Sequence, residues 1–282
     1  MTDKSKKKRV RWSKISLLHA WKLGARSLLL ILAVLAYIFG AVLGHTDAVL
    51  GALEDSWILL IVVWIFFAIE MLLRFFPSNI ESMGCQKQFK KNFIPTEQTK
   101  PNIPKKRGTF ITLTSWLLLN GVIAALYFLN VIDAGILILI SLVYSVCDMI
   151  CILFFCPFQT WFMKNKCCGS CRIYNWDYVM MCTPLVLIPN LFTIGLFSLA
   201  LSLLIVWEIA VARHPERFSE ATNAALRCAN CKEKLCHHKR QLRAFLKKNS
   251  EKIRLRDRLV LARERARRLL HREKNAPPQD GE

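Results

Sequence analysis

Residues 134–155 read AGILILISLVYSVCDMICILFF, and two features of this stretch decide the fold class. As a helix its 22 residues would measure about 33 Å, enough to cross a hydrocarbon core of roughly 30 Å. Its single carboxylate, Asp148, lies well inside the run, with Cys147 and Cys151 one helical turn apart beside it. An ionisable group at that depth is costly in lipid and marks a candidate functional position.

Three more apolar runs of 18 to 22 residues precede it, at 27–44, 57–76 and 110–131. A fifth apolar stretch, 179–212, holds 34 residues and is interrupted by Pro184 and Pro189. One straight helix of that length would reach about 50 Å, too long for a single crossing without strong tilt. The spacing therefore predicts an all-α fold: a polytopic helical membrane protein with five or six membrane segments, followed by a long basic C-terminal helix.

The whole composition agrees. A hydrophobic fraction of 54% coexists with a net charge of +20 in 282 residues, which is possible only if the two are segregated along the chain. That segregation excludes a disulfide-stapled secreted domain, a disordered chain and an ordinary soluble enzyme. Counting Lys and Arg by loop gives 9 in residues 1–26, 7 in 77–108 and 3 in 157–178, against none in 45–56 or 130–134. This alternation places the N-terminus in the cytoplasm of, in the simplest reading, a bacterial cytoplasmic membrane. The basic flank leads into a span-length run with no cleavage signal, so the first run is expected to stay as an anchor. Residues 213–282 add 20 more Lys and Arg. An even number of crossings, with a turn near Pro189-Asn190 or Gly195, keeps that tail on the same side. The organisation is then a basic N-terminus (1–26), a membrane domain (27–212), a cysteine-rich segment (213–238) and a basic helical tail (239–282).

Boundary signals accompany the spans. Trp57, Trp161, Tyr174, Trp176 and Tyr178 are expected in an interfacial aromatic belt. Ser78 and Glu81 form a capping-box pattern that predicts a short helix over 79–91. Pro95 to Pro104, with three prolines, reads as loop, and Asp177 as a cap for the fifth stretch.

The 11 cysteines supply the clearest chemistry. Cys168-Gly-Ser-Cys171 and Cys228-Ala-Asn-Cys231 are two CxxC turns, each able to offer two thiolates to one metal. Together they would complete a tetrahedral zinc site on the cytoplasmic face, with Cys167, Cys236, Cys85 and the pair His237 and His238 as further donors. The two turns can meet only with even topology. An iron–sulfur cluster is a second reading, since Cys156-Pro157 matches the Cys-Pro that often closes such ligand sets. Thiol–disulfide chemistry and unligated thiols in a reduced compartment remain open as well.

Other polar groups fall within or near the spans. Glu70 and Arg74 stand four residues apart, where a helical ion pair could neutralise both. Glu208 sits near the inner end of the last span. Asp148 with Cys147 and Cys151 could line a cavity for a soft cation or a proton, or Asp148 could simply pair with a polar neighbour.

From Lys239 to Lys274 the chain carries 15 basic and 4 acidic residues with no Pro or Gly. Leu255, Leu259, Ala262, Ala266 and Leu269 form a narrow apolar seam. The tail is expected to lie on anionic lipid, to pair with a partner helix or a second copy, or to contact RNA or ribosomes through phosphate. No nucleotide loop, metalloprotease helix or nucleophile elbow is present, which points away from an enzyme. The leading expectation is a non-enzymatic scaffold, sensor or assembly factor with a thiolate metal site. The rival is a transporter or redox carrier built on Asp148 and the intramembrane cysteines, with a broken helix of the kind transporters use. A third is a ribosome-associated insertion factor acting through the tail.

Overall fold

The computed structural model describes residues 14–42, 57–77, 86–98, 100–101, 106–165, 171–230 and 250. Residues 11–235 form one compact unit; of the other unit, 1–10 with 236–282, only Ser250 is described. The expected basic helix over 239–274 therefore lies outside the described residues.

The described chain is helical. Helix α1 covers Lys14–Val42, α2 Trp57–Leu72, α3 Lys106–Phe128, α4 Ala134–Leu153, α5 Asp177–Cys182 and α6 Leu191–Arg213. Four of these, α1, α3, α4 and α6, are long and apolar enough to span a membrane. Their outward surfaces carry large apolar side chains such as Leu118, Phe128 and Leu191, as a lipid-facing surface requires.

The boundaries depart from hydropathy in three places. Helix α1 begins at Lys14 rather than near 27, because helical backbone continues through Lys22 and Arg26 once their charges are neutralised internally. Helix α2 stops at Leu72 after 16 residues, about 24 Å of helix, and the chain then turns ahead of Pro77, whose ring disfavours helix in the preceding residue. The stretch 179–212 is two elements. A short helix α5 runs into a 3-10 turn over Thr183–Leu187, and the chain reverses at Ile188–Asn190 before α6. Pro184 sits inside the 3-10 turn, and the reversal falls at Pro189-Asn190. Asn190 caps α6: its side chain accepts from the Thr193 N–H at 2.8 Å, while its own N–H donates to the Thr193 hydroxyl at 3.0 Å. That reciprocal pair satisfies donors which lipid would otherwise leave unmet.

The link between α3 and α4 is tight. Asn130 adopts a left-handed backbone (φ 57°) and the Val131 N–H reaches back to the Leu126 carbonyl at 3.0 Å, a Schellman-type stop. Asp133 then caps α4 by accepting from the Ile136 N–H at 2.8 Å and takes the Tyr37 hydroxyl at 2.9 Å. A Cβ on Gly135 would stand 2.8 Å from the Tyr37 ring, so glycine permits α1 to lie along α4 there.

At the opposite end of the bundle, Tyr174, Trp207, Val211 and Phe218 form a buried cluster, with Phe89 against it. Of the expected helix over 79–91, residues 79–85 lie outside the described residues; Gln86 is helical, but Lys87 to Phe89 turn and Lys90–Asn92 form a 3-10 turn, so helix does not run on to 91. Pro95 forms an isolated bridge with Asn223. Fully buried Asn223 donates to the Lys87 carbonyl at 3.0 Å and the Arg217 carbonyl at 2.9 Å, and accepts from the Ala225 N–H at 3.0 Å. One amide thus ties residues 86–95 to 215–226. Asn223→Ala should cost about 1–3 kcal/mol in unmet polar groups, and limited proteolysis should then cut within 86–98 or 215–230. An unchanged digestion pattern would refute this account of Asn223.

Candidate functional site

Six charged side chains, three basic and three acidic, form two linked groups within the helical bundle. Arg26, from α1, is at their centre and is 2% exposed. Its Nη2 meets Glu70 Oε2 of α2 at 2.5 Å, and its Nη1 meets Asp148 Oδ2 of α4 at 3.2 Å. The same Nη1 donates to the Ser145 carbonyl at 3.0 Å. Lys22, one turn before Arg26, lies 3.4 Å from Glu70 Oε1, and the Tyr178 hydroxyl donates to Glu70 Oε2 at 3.1 Å.

The second group is centred on Arg74. Its Nη2 pairs with Asp177 Oδ2 at 2.8 Å, while Nη1 donates to Asp177 Oδ1 at 2.9 Å and Asn175 Oδ1 at 3.1 Å. The guanidinium stacks over the Tyr178 ring at 4.4 Å and the Tyr174 ring at 5.3 Å. Tyr178 joins the two groups, with its hydroxyl on Glu70 and its ring under Arg74.

The charges share one depth. Arg26 lies 16 residues before the end of α1, Glu70 13 after the start of α2, and Asp148 14 after the start of α4. Each is therefore about 20–24 Å from the same end of the bundle. In so dry a setting each ion forfeits several kcal/mol of hydration, which only close opposite charges and hydrogen bonds recover. Arginine suits the position because its planar fork serves two carboxylates at once, which a lysine ammonium cannot.

These partners correct the expected pairing of Glu70 with Arg74. Four-residue spacing brings the two near each other, yet Glu70 is taken by Arg26, Lys22 and Tyr178 and Arg74 by Asp177. Partners on other helices enclose each charge more fully than a helical neighbour can. Glu208 is likewise held from across the bundle: Arg172 pairs with it at 2.6 Å and the Trp176 indole donates to it at 2.9 Å. The aromatic belt is corrected in the same way. Trp57 and Trp161 are exposed, but Tyr174, Trp176 and Tyr178 are buried, their polar edges and ring faces spent on Glu208, Glu70 and Arg74. Asp177 is the first residue of α5 rather than its cap, and its carboxylate serves Arg74.

Two cavities flank the charged layer. One, of about 280 Å³, is lined by Cys147, Asp148, Cys151, Cys156 and Cys171, together with Met180, Met181, Asp177 and the Trp116 and Tyr144 rings. The other, of about 210 Å³, lies between α1, α2, α4 and α6 and is apolar apart from Ser141, Ser145 and its Asn190–Thr193 rim. Met181 lines both. Its backbone carbonyl accepts the Ser141 hydroxyl at 2.7 Å, which fixes α5 against α4 at the partition. Ser141, Ser145 and Asp148 follow one stripe of α4 at helical spacing, and they pass from the second cavity to the first.

Of the cysteines expected to ligate zinc, Cys171 is buried on the wall of the larger cavity and Cys228 is exposed in a 3-10 turn. Cys167, Cys168, Cys231, Cys236 and Cys85, with His237 and His238, lie outside the described residues. Among the described residues, no three His, Cys, Asp or Glu side chains are grouped as a metal site. The sequence reading gave Lys22 and Arg26 only a place in the basic flank and Tyr178 one in the aromatic belt, and passed over Ser145. The available signal was the unmatched Asp148, which demands a buried cation somewhere in the chain. No family model, curated protein or solved structure matches this chain.

Proposed function

We propose that this protein is a non-enzymatic membrane carrier, with the Arg26–Asp148 pair as the partition between two half-channels. The observation that carries the reading is the sharing of one guanidinium nitrogen. Arg26 Nη1 holds the Ser145 carbonyl, whose residue lines the smaller cavity, and the Asp148 carboxylate, which lines the larger. A change in that contact alters both walls at once, and a carrier needs such coupling to expose a site alternately to each side. The interrupted segment α5–Thr183–Leu187 beside the partition has the broken-helix character of transporter sites. The reversal at Asn190 supports six crossings, counting α2 and the α5 segment as short ones. With the loop charges, that count favours N- and C-termini both in the cytoplasm.

This reading takes precedence over the scaffold with a cytoplasmic zinc site because its residues are together in the fold, whereas that site draws on Cys168 and Cys231 outside the described chain. The test reads native Cys151, in the larger cavity, and a thiol introduced by Ile188→Cys, half-buried on the wall of the smaller. In sealed vesicles of known orientation, a membrane-impermeant maleimide should modify Cys151 from one face and the introduced thiol at 188 from the other. Asp148→Asn should shift the ratio of the two modifications, read by peptide mass spectrometry. Modification of both from one face, or a ratio indifferent to Asp148→Asn, would reject the carrier.

A further inference from the structure

The larger cavity has a lining that its polarity alone does not explain. Four cysteine side chains, Cys147, Cys151, Cys156 and Cys171, and two methionines, Met180 and Met181, face one space of about 280 Å³. Free cysteine and methionine also pack as apolar side chains; what sets this space apart is that six of them, from three stretches of chain, converge on it beside the Asp148 carboxylate. Thiolate and thioether together select soft cations, Cu(I) foremost among first-row ions, over the hard cations that carboxylates prefer.

The geometry points to a Cu(I) site whose first ligands are Cys147 and Cys151. The two are four apart on α4, which sets their Cβ atoms about 5–6 Å apart on one face of the helix. Two sulfurs so placed suit a cation content with two-fold, near-linear coordination. Such an ion needs neither the third nor the fourth ligand that tetrahedral zinc takes. On binding, two S–H bonds break, two Cu–S bonds form and two protons leave, with copper staying in the +1 state. Binding therefore tightens as pH rises. Cys156, Cys171, Met180 and Met181 offer further soft stations around the same cavity, Met180 packing against the cluster that holds Cys171 and Met181 lining both cavities.

The inference rests on the carrier reading for the ion's route, but not for its binding, so the two fail separately. The full-length protein in detergent, kept anaerobic, is titrated with Cu(I) against a chromogenic Cu(I) chelator. One tightly held Cu(I) per chain is expected. It should be lost in Cys147→Ser/Cys151→Ser, retained in Cys147→Met/Cys151→Met, where thioethers replace thiolates, and retained in Cys228→Ser/Cys231→Ser. Retention by the methionine pair shows that the fold has survived. Copper that stays on the Cys147→Ser/Cys151→Ser protein, copper lost with Cys228 and Cys231, or no binding by the unmodified protein would each overturn the assignment. Tight binding without opposite-face labelling of Cys151 and the Ile188→Cys thiol would keep the site and reject only the carrier.

Discussion

Arg26→Met should destabilise the folded protein by about 3–5 kcal/mol, the usual cost of removing one partner from a buried ion pair. The size of the effect follows from what is left behind. Glu70 keeps Lys22 at 3.4 Å and the Tyr178 hydroxyl at 3.1 Å. Asp148 is worse placed: among the described residues its ion pair is with Arg26, and no second basic group stands within ion-pair distance to replace it. The Ser145 carbonyl also loses its side-chain donor. Neutralising the stranded group should therefore return part of the loss, so Arg26→Met/Asp148→Asn is expected to be more stable than Arg26→Met alone. The coupling between the two positions should fall within the roughly 0.5–3 kcal/mol typical of contacting residues. Arg26→Lys should lie between, because one ammonium cannot occupy both the 2.5 Å contact to Glu70 and the 3.2 Å contact to Asp148. Thermal unfolding in detergent, followed by tryptophan fluorescence, checks the order of the four proteins. Equal midpoints for the single and double variants would show that Asp148 does not depend on Arg26.

The helical architecture was legible because lipid imposes it. Runs of apolar residues long enough to cross a bilayer must be helical, and loop charge then orders them, so α3 and α4 emerge within a few residues of their expected bounds. What hydropathy could not show is where a charged residue counts as part of a span. Lys22 and Arg26 read as cytoplasmic flank because a hydropathy window penalises them. Their burial depends on Glu70 and Asp148, 44 and 122 residues from Arg26, and no local pattern encodes a partner at that distance. The same limit separates Glu70 from Arg74: spacing on one helix was visible, but the stronger partners come from α1 and α5. Tyr174, Trp176 and Tyr178 are a related case. Amphipathic aromatics suit a membrane interface, and equally suit a buried carboxylate or guanidinium, and only the packing of α5 beneath Arg74 decides. Among the cysteines, Cys147 and Cys151 were readable as neighbours on one helix. Cys156 and Cys171 reach the same cavity only because the chain doubles back after α4.

Arg74 holds that returning chain in place, and Arg74→Ala is expected to match the loss at Arg26, about 3–5 kcal/mol. Its guanidinium makes both ends of a bidentate contact with Asp177, at 2.8 and 2.9 Å, and reaches Asn175 at 3.1 Å. Two tyrosine rings stack on it. Asp177 and Asn175 flank the first turn of α5, so this one side chain sets where the short segment begins and how it leans on α4. Arg74→Lys separates charge from shape. Lysine keeps the attraction to Asp177 but loses the forked geometry and the flat face that lies on Tyr178, so most of the loss should persist, with at least about 1.5 kcal/mol for the charged hydrogen bond given up. A purely electrostatic role would instead leave Arg74→Lys near the unmodified protein. The consequence for the cavities is separately measurable. With α5 no longer pinned at Asp177, the Met181 partition loosens, and Cys182 at the end of that helix, fully buried now, should react faster with a small membrane-permeant thiol reagent. If Cys182 kept its protection while the protein lost stability, Arg74 would be supporting α2 alone, and the partition between the two cavities would have to be held by the Ser141–Met181 contact instead.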